Sequence, residues 1–271
     1  MNVKSFGKIV LGLLLVVLVS ACLAPLLAMF LDFKFRRILS RCIMIGTFLL
    51  VVFFVRQQKI KAGEFFQGMG LTITRASLLL YVKGFLLCSI FIAGIVFFQV
   101  IFGIRSEQMA LQGIPLLLNS LKIIGAAVVV GIVEEIFFRG IVYRGLYNSG
   151  LPGAFLVSAF LYAIVHFFAK GGVFVDASPT VIDSFRVIGS FFNNFKEPAV
   201  IMPACVGLLF FGFVLNSAYY HSGSLLFPMG IHAGAVFCLK FSKSVFAVNN
   251  DGATIALGTG ILYDGVLGWA F

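Results

Sequence analysis

Two adjacent carboxylates, Glu134 and Glu135, and the guanidinium of Arg139 lie inside one apolar run, Gly131-Ile-Val-Glu-Glu-Ile-Phe-Phe-Arg-Gly140. Two imidazoles follow in other apolar runs: His166 in Phe160-Leu-Tyr-Ala-Ile-Val-His-Phe167, and His232 in Pro228-Met-Gly-Ile-His-Ala-Gly234. A charge at membrane depth costs about 2.5–3.5 kcal/mol on insertion scales, so residues of this kind mark function. A carboxylate can take a proton from water, and an imidazole can hold that water or donate to a developing oxyanion. The chemistry these residue types offer is therefore water activation.

Helical spacing divides the roles. Glu135 and Arg139 are four apart with the acid first, the favourable order for an ion pair along one face. Glu134 is rotated by about 100° from Glu135, which leaves it as the carboxylate for proton transfer. Tyr162 and His166 are also four apart, which brings phenol and imidazole close if one helix carries both. The turn around Gly150 separates two of the apolar runs, with Glu134 about 16 residues before it and His166 about 16 after, so an antiparallel hairpin sets them at equal depth. His232 lies about ten residues, roughly 15 Å, beyond the turn at His221-Ser-Gly-Ser224, so that all three groups can share one buried layer. His221, in that turn, reads as a structural histidine.

The elements that must carry these groups are membrane helices. The chain has 271 residues, 61% of them hydrophobic and 11% charged, where soluble domains carry about 25% charge. The expectation is an all-α polytopic membrane protein of about eight spans, at roughly 8–30, 38–55, 78–104, 114–147, 153–169, 198–219, 224–240 and 254–271. It reads as a single membrane domain, 1–271, with its chemical core near 114–240. The net charge of +10 comes from Lys and Arg at span ends, such as Lys34, Arg36, Arg37 and Arg41, as expected of contacts with anionic headgroups. Nucleic acid is excluded as a partner, and the lipid bilayer is implied. Cys22, Cys42, Cys88, Cys205 and Cys238 stand singly in apolar runs and read as small buried hydrophobes. Lys4, Lys8 and the run to Val19-Ser-Ala-Cys22 imitate a lipoprotein signal, but the chain stays apolar beyond Cys22 and reads as a first span.

One loop is long, 170–197. Within it Ser178-Pro179 reads as a helix start, and Val181, Phe185, Ile188, Phe192 and Phe195 recur at helical spacing as the apolar face of an amphipathic interfacial helix. Arg56, Lys59, Lys61 and Arg75 place the loop 56–77 in the cytoplasm. Both termini are then inside and 170–197 outside.

The order Glu134-Glu135-x-x-x-Arg139, an aromatic four before His166, and His232 in a later span led into by Ser224-Leu-Leu resembles the CPBP (CAAX protease and bacteriocin-processing, Abi) family. That family includes the type II CAAX prenyl endopeptidases, and the resemblance covers roughly 114–240. It implies an intramembrane endopeptidase in which Glu134 is the base, His166 helps hold the water and His232 stabilises the oxyanion, with Glu135 and Arg139 in support. It also implies a peptide or small protein substrate, a bacterial inner-membrane location and no required cofactor. Zinc held by Glu134, His166 and His232 is the alternative mechanism. Two positions depart from the family pattern: Tyr162 stands where Phe is usual, and Val236 where Asn is usual. Asn216 is the candidate replacement for the missing donor. A non-catalytic scaffold or immunity protein of the same fold, and a proton-coupled transporter, are the competing classes.

Overall fold

The computed structural model describes residues 3–57, 62–108, 111–148, 150–168, 175, 178–249 and 269. These form two compact units, one of 1–65 with 165–201 and the other of 66–164 with 202–271.

The first unit is built on α1 (Val3–Ala28) and α2 (Phe35–Gln57), which pack along each other, with α8 (Val181–Ser190) laid across both. Its core is Ala24, Phe35, Ile38, Leu39 and Val187. The amphipathic helix expected in the long loop is present, but it starts later. Its N-cap is Thr180 rather than Ser178: Thr180 Oγ1 accepts the Asp183 N–H, and the Asp183 carboxylate accepts the Thr180 N–H. This reciprocal box satisfies two donors that the first turn would otherwise leave open. The hydrogen bonds from Thr180 hold the Asp183 carboxyl below its ordinary range, so the box is intact at neutral pH and is lost as pH falls through that lowered value. Inward, α8 presents Ser184, Val187 and Ser190, with Ser184 Oγ donating to the Ala21 carbonyl at 2.8 Å. Small residues allow that backbone approach. Val181, Phe185 and Phe192, on the apolar face expected to lie at the interface, are exposed, as a helix at a membrane surface requires.

The second unit carries the chemistry. Its helices are α4 (Arg75–Ile101), α5 (Gly113–Glu135), a π-helical segment (Ile136–Tyr143), α6 (Arg144–Asn148), α7 (Ala154–Val165), α9 (Pro198–Ser222, nearly all of it in this unit) and α10 (Leu226–Val245). The short α3 (Ala62–Gly68) leads into it. A two-stranded antiparallel ribbon, β1 (Arg105–Glu107) with β2 (Phe246–Val248), ties the end of α4 to the end of α10. Arg105, outside the apolar helices, is buried there, and its Nε donates to Gln99 Oε1 at 2.6 Å.

Helices occupy each of the first seven expected apolar segments, and the eighth, 254–271, lies outside the described residues apart from Trp269. The expected count of eight spans is not reached among the described residues: four helices are long and apolar enough to cross, Leu11–Ala28, Arg75–Ile101, Gly113–Asn148 and Pro198–Ser222. The shortfall has physical reasons. With 12 residues, α7 rises only about 18 Å, against a hydrocarbon core of about 30 Å. In α10, Pro228, His232, Lys240 and Lys243 dilute the apolar character. Pro228 and His232 are tolerated because Leu226 and Pro228 through Ala235 are buried by protein, and Lys240 and Lys243 are exposed in the second half of the helix.

Backbone proximity makes that burial possible. A Cβ at Gly84 would sit 2.6 Å from the Phe227 carbonyl oxygen, one at Gly234 would sit 2.6 Å from that of Phe85, and one at Gly230 would overlap that of Tyr81. Small residues at such crossings let two helices meet without side chains between them. Overpacking a close contact costs about 1–3 kcal/mol. Gly230→Val is therefore expected to destabilise the α4–α10 pair by at least about that much, read as a lowered Tm of the detergent-solubilised protein, whereas Gly94→Ala, with open space around it, leaves Tm nearly unchanged.

Candidate active site

Helices α5 and α6 read as one span in the sequence, but the structure widens the helix directly after Glu135 into eight π-helical residues, Ile136–Tyr143. Such widened turns recur at functional sites because they re-aim side chains within a continuous helix. Arg139 is inside the segment and still reaches back: its Nη1 donates to Glu135 Oε1 at 3.0 Å, with both side chains fully buried. The ion pair expected from the spacing is present.

Three further elements close around that pair. Arg139 Nε donates to Asn216 Oδ1 at 3.1 Å, and Nη2 donates to the Gly212 carbonyl at 3.2 Å, both on α9. Asn216 Nδ2 in turn donates to the Phe155 carbonyl at 2.9 Å and to Ser158 Oγ at 2.8 Å, both on α7. From α10, His232 Nδ1 lies 2.8 Å from Glu135 Oε1. That carboxylate oxygen therefore faces two nitrogen donors at once. The Tyr162 ring covers the cluster, 4.6 Å from Arg139 Cζ and edge-on to His232 at 5.9 Å, and Phe211 meets the imidazole edge-on at 5.8 Å.

With Nδ1 committed to Glu135, Nε2 is the imidazole nitrogen left to face Glu134, at 3.8 Å from Glu134 Oε2. The Glu134 side chain is 30% exposed where Glu135 is 0%. The two adjacent glutamates thus meet different surroundings. Glu135 is sealed in an ion-pair network, and Glu134 is partly exposed.

His166 has a different setting. α7 ends at Val165, one residue short of it, so the helix does not carry Tyr162 and His166 on one face, and His166 is exposed in the turn that follows. It falls in the first compact unit. His221 is no core residue either: it is exposed at the end of α9, edge-on to Tyr220 at 5.2 Å. Asn216 is fully buried, and both its N–H donors are taken by α7, so it clamps Arg139 instead of replacing the donor absent at Val236. Ser158 and the carbonyls of Phe155 and Gly212 complete the network and were not anticipated. Ser158, a polar residue in an apolar helix, was the one sequence signal for them.

A zinc site does not fit what is described. Among the described residues no three His, Cys, Asp or Glu side chains come together as a ligand set. Glu134 and His232 Nε2 offer two donors where a catalytic zinc takes three from protein, and Glu135 is engaged with Arg139 and His232.

Fold and site together define a multi-pass helical membrane protein with a buried Glu–Arg–His cluster beside a more open glutamate. Residues 116–238 match the family described as type II CAAX prenyl endopeptidase Rce1-like. That stretch, which contains Glu134, Glu135, Arg139, Tyr162, His166, Asn216 and His232, is similar to the CAAX proteases of the CPBP family. Neither a curated protein nor a solved structure matches it.

Removing one partner of a buried ion pair leaves a charge uncompensated, at a cost of about 3–5 kcal/mol, whereas replacing both by apolar groups costs far less. Arg139→Ala is expected to lower stability by that amount. The double variant Glu135→Leu/Arg139→Met should recover much of it, and denaturant titration of the solubilised protein measures both.

Proposed function

We propose that the protein hydrolyses a peptide bond in or at the membrane with a water activated by Glu134. The observation that carries this is the contrast between the two glutamates. Glu135 is committed to Arg139 and His232, and Glu134 is part-exposed and faces His232 Nε2 at 3.8 Å. The match of residues 116–238 to a CAAX-type protease family supports the same reaction class.

In this reading Glu134 takes a proton from water as the oxygen attacks the scissile carbonyl carbon. The carbonyl oxygen becomes an oxyanion and accepts a hydrogen bond from a proton on His232 Nε2. Glu135, accepting from Nδ1, holds the ring so that Nε2 is the nitrogen presented. When the tetrahedral species collapses, Glu134 returns its proton to the departing amine. No metal enters these steps, and no cofactor is required. The substrate is a peptide or small protein that reaches the membrane, the span count is about eight, and the setting is the inner membrane of a bacterium.

Val236 supports a second reading. It stands on α10 one turn beyond His232, where the family pattern supplies an Asn donor. A chain lacking that donor could keep the pocket and bind a partner as a scaffold without turnover.

General-base removal costs about 10²–10⁴-fold. On a pooled library of membrane peptides in detergent, Glu134→Gln should lose cleavage by that factor while still binding peptide, and His232→Ala should lose it as well. Wild type should keep its activity under chelation. Activity lost on chelation would replace the glutamate mechanism with a metal-dependent one, and cleavage retained by Glu134→Gln would sink the assignment of the base.

A further inference from the structure

A cleft of about 470 Å³ opens in the second unit, and the mechanism makes no use of it. Tyr143, Tyr147, Phe155 and Tyr220 wall it, with Ser217 and His221 at its edge. The rings stand at angles to one another: Tyr143 meets Phe155 at 84° and Tyr147 meets Tyr220 at 67°, with centroids 6.1 and 6.2 Å apart. They form the sides of a box, not a closed stack. Tyr147 and Tyr220 are more than half exposed, whereas Tyr143 is buried. No Asp, Glu, Lys or Arg side chain lines the cleft.

Its place relative to the buried cluster is fixed by shared residues. Phe155 lends its ring to the cleft and its carbonyl to Asn216 Nδ2. Ser217 follows Asn216, and Tyr143 ends the π-helical segment that holds Arg139. Nine residues separate Glu134 from Tyr143, roughly 13 Å or slightly less along the helix. An extended peptide covers that distance in about four residues at 3.3 Å each.

We infer that this cleft is a specificity subsite that takes a bulky uncharged side chain of the peptide substrate, about three to four residues from the scissile bond. The inference rests on the protease reading. Its volume lies within the range of small-ligand pockets, which are mostly apolar with a few polar groups. Aromatic walls give large contact area to an apolar or aromatic side chain. A charged side chain would find no counter-ion there, and its desolvation would go uncompensated.

The test is a peptide series built on any library substrate, carrying Trp, Phe, Ala, Glu or Lys at the third and fourth positions on either side of the cleaved bond. Wild type, Tyr220→Ala, Tyr147→Ala and Tyr220→Phe are compared for kcat/KM. Binding of the same peptides to Glu134→Gln protein, with and without the Tyr220→Ala change, is measured by fluorescence anisotropy. Hydrophobic-pocket discrimination runs to about 10–200-fold. Trp is expected to beat Ala by about tenfold or more at one position, mainly through KM, and the charged residues to be worst. Tyr220→Ala and Tyr147→Ala should each collapse that preference, and Tyr220→Phe should keep it. An equal preference in the alanine variants, or none in wild type, overturns the subsite. If wild type cleaves nothing, the protease reading fails separately: a Trp-peptide affinity that falls with Tyr220→Ala still supports the cleft, and an unchanged affinity overturns it. Displacement of every peptide alike by phospholipid vesicles, with no side-chain preference, would make the cleft a headgroup site instead.

Discussion

A single oxygen, Glu135 Oε1, has Arg139 Nη1 at 3.0 Å and His232 Nδ1 at 2.8 Å, inside a protein layer where neither Glu135 nor Arg139 is exposed. An isolated carboxylate there would carry a desolvation penalty of several kcal/mol. Those two contacts are what make it tolerable. Each partner is itself anchored: Arg139 by α9 through Asn216 and the Gly212 carbonyl, and His232 by the burial of α10. Asn216 passes the constraint on to α7 through Phe155 and Ser158. Four segments are thereby held in register by groups that lose their partners if any one of them shifts. Apolar packing between membrane helices is not directional, because lipid competes for the same contacts. A hydrogen-bonded ion pair is directional, and here it sets the geometry.

Adjacency of the two glutamates follows from this division. Successive helical residues point about 100° apart, so one backbone position can serve two environments. Glu135 turns inward and is neutralised by Arg139. Glu134 stays partly exposed and lies 3.8 Å from His232 Nε2. Because Glu135 accepts from Nδ1, the orientation of the imidazole is decided by the structural glutamate, while its other nitrogen is left to chemistry. A metal-ligating or catalytic histidine is commonly oriented in this way by a carboxylate on its second nitrogen.

Much of this was legible because polar residues in apolar runs are few and costly. The Glu135–Arg139 pair followed from spacing alone, and the helical segments through residue 245 followed from hydropathy. The π-helical segment was not legible: Ile136–Tyr143 has the composition of any apolar helix, and its widening depends on partners on α7, α9 and α10. The protein-facing side of α8 was not legible either: periodicity picks out the large residues Phe185 and Phe192, whereas the helix meets α1 through Ser184 and Ser190, whose small side chains permit backbone approach. His166 was expected to continue a helix that stops at Val165. The role first assigned to Asn216 changed because side-chain donors can be counted only once their acceptors are known.

Hydropathy is weakest where the chemistry is densest, and the close crossing of α4 and α10 explains why. A helix that faces lipid is apolar on the face it shows to the lipid, whereas the protein-enclosed stretch of α10 is free to carry Pro228 and His232. Gly84, Gly230 and Gly234 remove the side chains that would hold α4 and α10 apart, so their backbones meet and α10 is shielded along the stretch that bears His232. His232, two residues from both Gly230 and Gly234, points to the other side of α10, where Tyr162, Phe211 and Glu135 enclose the imidazole and Glu134 lies 3.8 Å from Nε2. The helix that looks least like a membrane span is therefore the one the membrane site is assembled around.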